Sequence, residues 1–285
     1  MSSLRYAVVG HPVEHSQSPF IHARFAELTG RKLIYDRRSC APNDFARTLA
    51  QLAVEGYAGC NVTVPFKFEV PGLCASVAPR ARLAEAGNTV RLDAQGWACD
   101  NTDGIGLVRD IRIHARRPLT GSRLLLVGAG GAAAGVLGPL LAERPRAILV
   151  ANRHAGRAEA LVERHAGMAA AAGCQLRASG LEPCQDGREI GYEIVVNATA
   201  SSLSGSAIPV AASVLAREAL ALDMMYGPAA QSFMDWARAA GAEPRDGLGM
   251  LVEQAAEAFV FFGGAAPPTA GVLADLRARL AKGAL

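Results

Sequence analysis

The chain has 285 residues, 51% of them hydrophobic and 19% charged, with a net charge of +3. That length exceeds a usual single core and points to two domains, and the composition excludes a disordered chain. The arginines are scattered, so no basic stripe suggests nucleic acid or an anionic membrane surface.

In chain order, residues 5–9 read as a buried strand, 19–28 as a helix with proline near its first turn, and 32–37 as a second strand. Asn43 or Asp44 can cap a helix running to about residue 54, 59–64 is a short strand, and Pro65 can start the next helix. Residues 89–92 and 97–99 form a hairpin around Asp93-Ala-Gln-Gly96. This is an α/β half with a mainly parallel sheet.

From Gly104 a helix to about residue 116 leads into a strand at 123–127, which opens a second α/β repeat with strands at 148–151, 193–196 and 219–223. Residues 124–142 carry no charge, but their glycines and Pro139 predict a strand, a glycine turn and a buried helix instead of a membrane span. The Ala-rich piece around Met168 reads as a helix end or loop. After Gly247 a helix places Leu248, Leu251, Val252, Ala255, Ala256 and Phe259 on one face, which should pack back on the first lobe. The expected architecture is two-lobed: residues 1–104 and 246–285 form one domain, and 105–245 form an inserted Rossmann-type domain.

The six cysteines show no CxxC pairing and no zinc-type spacing, which predicts reduced thiols in the cytoplasm. The N-terminal apolar run is too short for a signal peptide.

Gly128-Ala129-Gly130-Gly131-Ala132, between a strand and a helix, fits a dinucleotide turn: glycines let backbone approach the pyrophosphate, and the helix N-terminus offers free N–H groups. An NAD-preferring fold would carry Asp or Glu at the end of the next strand; here stand Asn152-Arg153-His-Ala-Gly-Arg157. Two arginines four apart can meet one phosphate, which predicts NADP, although arginine on a solvated surface is also common.

Ser16 and Ser18, two apart in Val9-Gly-His-Pro-Val-Glu-His-Ser-Gln-Ser18, face the same way in an extended segment and can hold a carboxylate; they can equally cap the helix that follows. Lys67 is one of only three lysines. Seen alone, Lys67 reads as a helix-start lysine, Asp103 as a helix N-cap, and Gln254 as a surface glutamine. His11, His15 and His22 span strand end, loop and helix, and read as packing or polar residues, not a metal site.

Taken together, the serine segment, Asn61-Val-Thr-Val-Pro-Phe-Lys67, Asn88-Thr89, Asp100-Asn-Thr-Asp103, the glycine turn and Gly247-Leu-Gly-Met-Leu-Val-Glu-Gln254 make the chain resemble the shikimate dehydrogenase family from end to end. The resemblance implies a cytosolic NADP-dependent oxidoreductase that reduces 3-dehydroshikimate to shikimate on the route to chorismate and the aromatic amino acids. It implies a catalytic pair of Lys67 and Asp103, without deciding which of them moves the proton. It further implies ring-hydroxyl contacts from Asn61, Thr63, Asn88 and Gln254, and a carboxylate contact from Tyr226. Cofactor contacts are implied for Thr199, Gly247 and Met250 beside the glycine turn. The chain departs from the family at His154, where threonine is usual, and in the 200–206 loop. No metal, nucleic acid or membrane partner is implied, and a monomer or homodimer is expected. Two alternatives stand beside this reading: a quinate/shikimate or aminoshikimate-type paralogue, and a non-catalytic sensor of NADP and a small acid.

Overall fold

In the computed structural model, which describes residues 3–199 and 208–282, the chain opens with strand β1 (Leu4–Gly10) and helix α1 (Ser18–Thr29). There follow β2 (Leu33–Ser39), α2 (Phe45–Val54), β3 (Tyr57–Val62), β4 (Ser76–Val77), α3 (Pro79–Ala84), β5 (Thr89–Arg91) and β6 (Ala98–Asp100). These strands form a sheet in the order β2-β1-β3-β5-β6-β4. Strands β1, β2 and β3 run parallel, and the β5–β6 hairpin adds antiparallel pairs, so the sheet is mixed. Ala7, Val9, Cys60, Val62, Val90 and Cys99 point from its strands into one core with Phe45, Leu49 and Phe66. Each large apolar side chain so buried contributes about 1.5–3 kcal/mol.

The helix expected from Pro65 is absent; Phe66–Phe68 makes a single 3-10 turn. An α-helix here would need the residue at 71 to donate to the Lys67 carbonyl, and that residue is proline. Gly87 N–H takes the Lys67 carbonyl at 2.8 Å instead.

Helix α4 (Asp103–Arg109) runs on as a π turn over Asp110–His114, with Ala115 N–H bonded to Asp110 O. The next elements are β7 (Arg123–Val127), α5 (Gly131–Ala142), β8 (Ala147–Ala151), α6 (Ala155–Ala172) and β9 (Gln175–Ser179), then α7 (Glu182–Gln185), β10 (Tyr192–Asn197), β11 (Leu215–Asp223), α8 (Gln231–Ala239) and β12 (Glu243–Arg245). The Ala-rich piece around Met168 belongs to the body of α6, which Gly173 ends in a left-handed conformation. Sequence periodicity missed β9 and β12, which are short and carry polar residues.

This second sheet is parallel throughout, in the order β12-β11-β10-β7-β8-β9. That is the doubly wound dinucleotide-binding order, which reverses direction between β7 and β10. Its central strands are buried almost continuously, as a sheet covered by helices on both faces requires.

Two further helices close the chain, α9 (Leu248–Phe261) and α10 (Ala270–Ala281). The chain divides into one unit of Met1–Gly106 with Leu251–Leu285 and another of Leu107–Met250. Within the first unit, Ala258 and Phe262 pack on Tyr6, Val8, Val13 and Tyr35, and Arg80 bridges Asp100 (2.6 and 2.8 Å) and Glu257 (3.0 Å). Among the described residues no helix is long and apolar enough to cross a membrane. All six cysteines are free thiols.

Candidate active site

In the first unit, Lys67 Nζ lies 2.6 Å from Asp103 Oδ2, with side chains 13% and 4% exposed. The 3-10 turn holds Lys67, and the first residue of α4 holds Asp103. Asp103 does not use its carboxylate as a cap: its own N–H is accepted by Asn101 Oδ1 (3.1 Å), leaving Oδ1 to accept from Asn88 Nδ2 (2.9 Å). Lys67 spends one of its three N–H donors on Asp103.

Asn88 is the hub. Its Oδ1 accepts from Thr102 N (2.8 Å) and Thr89 Oγ1 (2.9 Å), and its Nδ2 also faces Gln254 Oε1 at 2.7 Å. Asn61 Nδ2 donates to Thr89 Oγ1 (2.9 Å) and to Asn88 O (3.2 Å), while its Oδ1 accepts from Tyr35 Oη at 2.6 Å. Thr63 follows β3, its N–H bonded to Val9 O at 2.9 Å. Buried polar groups cost several kcal/mol unless paired, so this cluster is held in one arrangement by its own bonds.

Ser16 and Ser18 come together at the start of α1: Ser16 Oγ lies 3.1 Å from Ser18 Oγ, and Ser18 N–H points to Ser16 Oγ at 3.3 Å. The N-cap residue itself is Gln17, which makes no side-chain cap bond, while Ser16 Oγ takes the N–H of the first helical residue. Arg37 donates through Nε (3.0 Å) and Nη2 (2.7 Å) to the Ser16 carbonyl, fixing the serine turn to β2. Sequence reasoning missed Arg37 and Tyr35, since their partners Ser16 and Asn61 lie more than twenty positions away and no local motif joins them. His22 is buried and stacks on Tyr35, with ring centroids 4.2 Å apart. Burial, and secondarily Arg31, push its pKa down to about 3, so it is a neutral packing residue.

In the second unit, Gly128 follows β7 and adopts φ +113°, a conformation open to glycine. An added Cβ would come within 3.0 Å of Ala198 O and 3.2 Å of the Thr199 methyl, so β7 and β10 meet closely where the strand order reverses. Ala129 and Gly130 lead into α5, which begins at Gly131 and Ala132. The space beside Gly130 is open, and with the free N–H groups of the first helical turn it suits a pyrophosphate.

Thr199 is held by Asn197 Oδ1, which accepts from its N–H (3.2 Å) and its hydroxyl (2.7 Å). At the end of β8, Asn152 Nδ2 donates to His154 O (2.9 Å), shaping the turn that carries Arg153 and Arg157. Both arginines are exposed and form no ion pair among the described residues. The 200–206 loop lies outside the described residues.

Tyr226 follows β11 in this same unit, as do Gly247, whose N–H bonds Met225 O at 2.8 Å, and the buried Met250. The structure thus gathers Lys67, Asp103, Asn61, Thr63, Asn88, Gln254, Ser16 and Ser18 in the first unit. Tyr226 belongs with the glycine turn in the second.

Three family models match: the shikimate dehydrogenase substrate binding domain over residues 8–90, shikimate / quinate 5-dehydrogenase over 112–203, and the shikimate 5'-dehydrogenase C-terminal domain over 247–277. The chain is 61% identical over 280 residues to the shikimate dehydrogenase (NADP(+)) of Methylibium petroleiphilum, covering 96% of this chain and 94% of that one. It is 58% identical over 276 residues to the protein of the same description from Paracidovorax citrulli, covering 96% and 97%. Among solved structures, shikimate 5-dehydrogenase from Thermus thermophilus in complex with shikimate is 32% identical, with a TM-score of 0.82 over 98% of this chain and 99% of that one. Similarity of this extent, reaching both units, makes the chain a member of the shikimate dehydrogenase family.

Proposed function

We propose that the chain reduces 3-dehydroshikimate to shikimate with NADPH, and that the first unit binds the substrate while the second binds the cofactor. The observation that carries the reading is the largely buried Lys67–Asp103 pair at 2.6 Å, set among amide and hydroxyl groups suited to a polyol. When bound, NADPH supplies a hydride to the ring ketone carbon. Lys67 has two N–H donors not engaged by Asp103, and one of them protonates the ketone oxygen. Asp103 holds the ammonium in place and is itself held by Asn88.

Asn61, Thr63, Asn88 and Gln254 meet the ring hydroxyls. Ser16 and Ser18 meet the carboxylate. Gly128, Ala129, Gly130, Gly131 and Ala132 cradle the pyrophosphate, and Thr199, Gly247 and Met250 line the cofactor site. Asn152, Arg153 and Arg157 take the 2′-phosphate, for which two exposed guanidinium groups with no ion pair among the described residues are suited and a carboxylate is not. Six free thiols fit a reducing cytoplasm.

Steady-state rates for shikimate and quinate, each with NADP and NAD, test the reading. The fastest turnover is expected with shikimate and NADP. Preference for quinate would favour the paralogue, and no turnover with any pair would favour a sensor.

A further inference from the structure

We propose that Tyr35 is a positioning residue that fixes the amide of Asn61 so that it meets the substrate as a hydrogen-bond acceptor. The inference rests on the functional reading above, in which Asn61 touches a ring hydroxyl.

A primary amide has two N–H donors and two acceptor lone pairs. Both donors of Asn61 are spent inside the protein, on Thr89 Oγ1 (2.9 Å) and Asn88 O (3.2 Å). One lone pair of Oδ1 is spent on Tyr35 Oη at 2.6 Å. His22, whose buried ring nitrogens make no hydrogen bond among the described residues, leaves the second lone pair on Oδ1 for a ligand, so the group that meets Asn61 must bring a donor. A hydroxyl does so; a ketone or ether at the same place would set acceptor against acceptor in a buried site.

Tyr35 is well built for this task. It is 9% exposed, and its ring is stacked on His22 at 4.2 Å with planes 14° apart. Burial holds its phenol well above the ordinary tyrosine range, so it stays a neutral donor. The Ser18 hydroxyl is near enough to draw the phenol the other way, so Tyr35 stands between the serine pair and Asn61. From Asn61 the bonds continue through Thr89 and Asn88 to Asp103 and Lys67. Tyr35 therefore ties the carboxylate end of the site to the proton-transfer end without belonging to either.

The test is Tyr35→Phe, which removes one oxygen and keeps the ring stack. The KM for shikimate is expected to rise about tenfold, with kcat within about threefold of wild type and the KM for NADP unchanged. In an Asn61→Ala background the same change should have almost no further effect, because the amide it orients is gone. Tyr57→Phe, which deletes another bonded phenol of the same unit, should leave the kinetics as they are. An unchanged shikimate KM in Tyr35→Phe, or a penalty that persists in full in the Asn61→Ala background, overturns the inference. Asn61→Ala alone gives a second reading should Tyr35→Phe fold poorly: its shikimate KM must rise at least as far, and an unchanged value also overturns the inference. A wild-type chain that does not turn over shikimate would overturn the functional reading, and this one with it. An active wild type with a normal Tyr35→Phe variant sinks only the role of Tyr35.

Discussion

Gln254 Oε1 lies 2.7 Å from Asn88 Nδ2, although 166 positions separate the two residues. The bond ties helix α9 to the amide that also holds Asp103, so the C-terminal segment finishes a site begun near the N-terminus. Long-range closure of this kind makes the cluster sensitive to single changes, because each buried polar group depends on the next.

Replacing Lys67 with Met removes the proposed proton donor and the ammonium that Asp103 contacts. The expected loss is about 10²–10⁴-fold in kcat with shikimate, with secondary structure intact by circular dichroism. Asp103→Asn should lose activity in the same range, since the amide neither balances nor orients the ammonium. Full activity in both variants would remove the pair from the mechanism.

Arg153→Ala should raise the KM for NADPH about 10- to 100-fold and leave that for NADH nearly unchanged, because only the former carries the extra phosphate. Arg157→Ala should act in the same direction. The measurement is a pair of cofactor titrations for each variant, and equal effects on both cofactors would count against the phosphate contact.

Asp110 is fully buried and is clasped by Arg245, whose Nε lies 3.0 Å from both carboxylate oxygens. Arg245→Ala strands that charge and should cost about 3–5 kcal/mol in urea unfolding. Gly249→Ala attacks the same pair from another side, since its Cβ would fall 1.8 Å from Asp110 Oδ1. Both variants should unfold at lower denaturant, and an unaltered midpoint in either would show that the pair can rearrange freely.

His22 gives the fold a pH-dependent stability. Its pKa falls from 6.5 to about 3 in the native state, so the unfolded chain binds a proton that the native chain refuses. The stability is fully present above about pH 6.5 and is lost as pH drops toward 3, by about 2 kcal/mol at pH 5. His22→Phe should flatten that part of the profile. Denaturant titrations at pH 7 and pH 5 check it, and an unchanged difference between the two would assign the acid loss to other groups.

The α/β class and most strands were legible because buried parallel strands leave apolar runs, such as Leu124, Leu125 and Leu126 between Arg123 and the glycine turn. Strands β9 and β12 were not, since Gln175, Arg177, Glu243 and Arg245 give no apolar pattern and are fixed by pairing at the ends of the sheet. The helix expected at Pro65 failed for a local reason that was present in the chain: Pro71 cannot donate to Lys67 O. Of the candidate site, the chain displayed Ser16, Ser18, Lys67, Asp103 and Gln254 as members of local motifs. It gave no hint of Tyr35 or Arg37, whose side chains matter only because β2 lies beside β1 and the start of α1.

By itself the sequence determined which chemistry is present: a lysine, carboxylates, amides, paired serines and a glycine turn at spacings set by covalent connection. The tertiary structure alone decided which of those groups share hydrogen bonds. Bonds such as Tyr35 to Asn61 and Asn88 to Gln254 depend on strand order and helix packing, which arise from burial of apolar surface summed over the whole unit and not from any local run of residues.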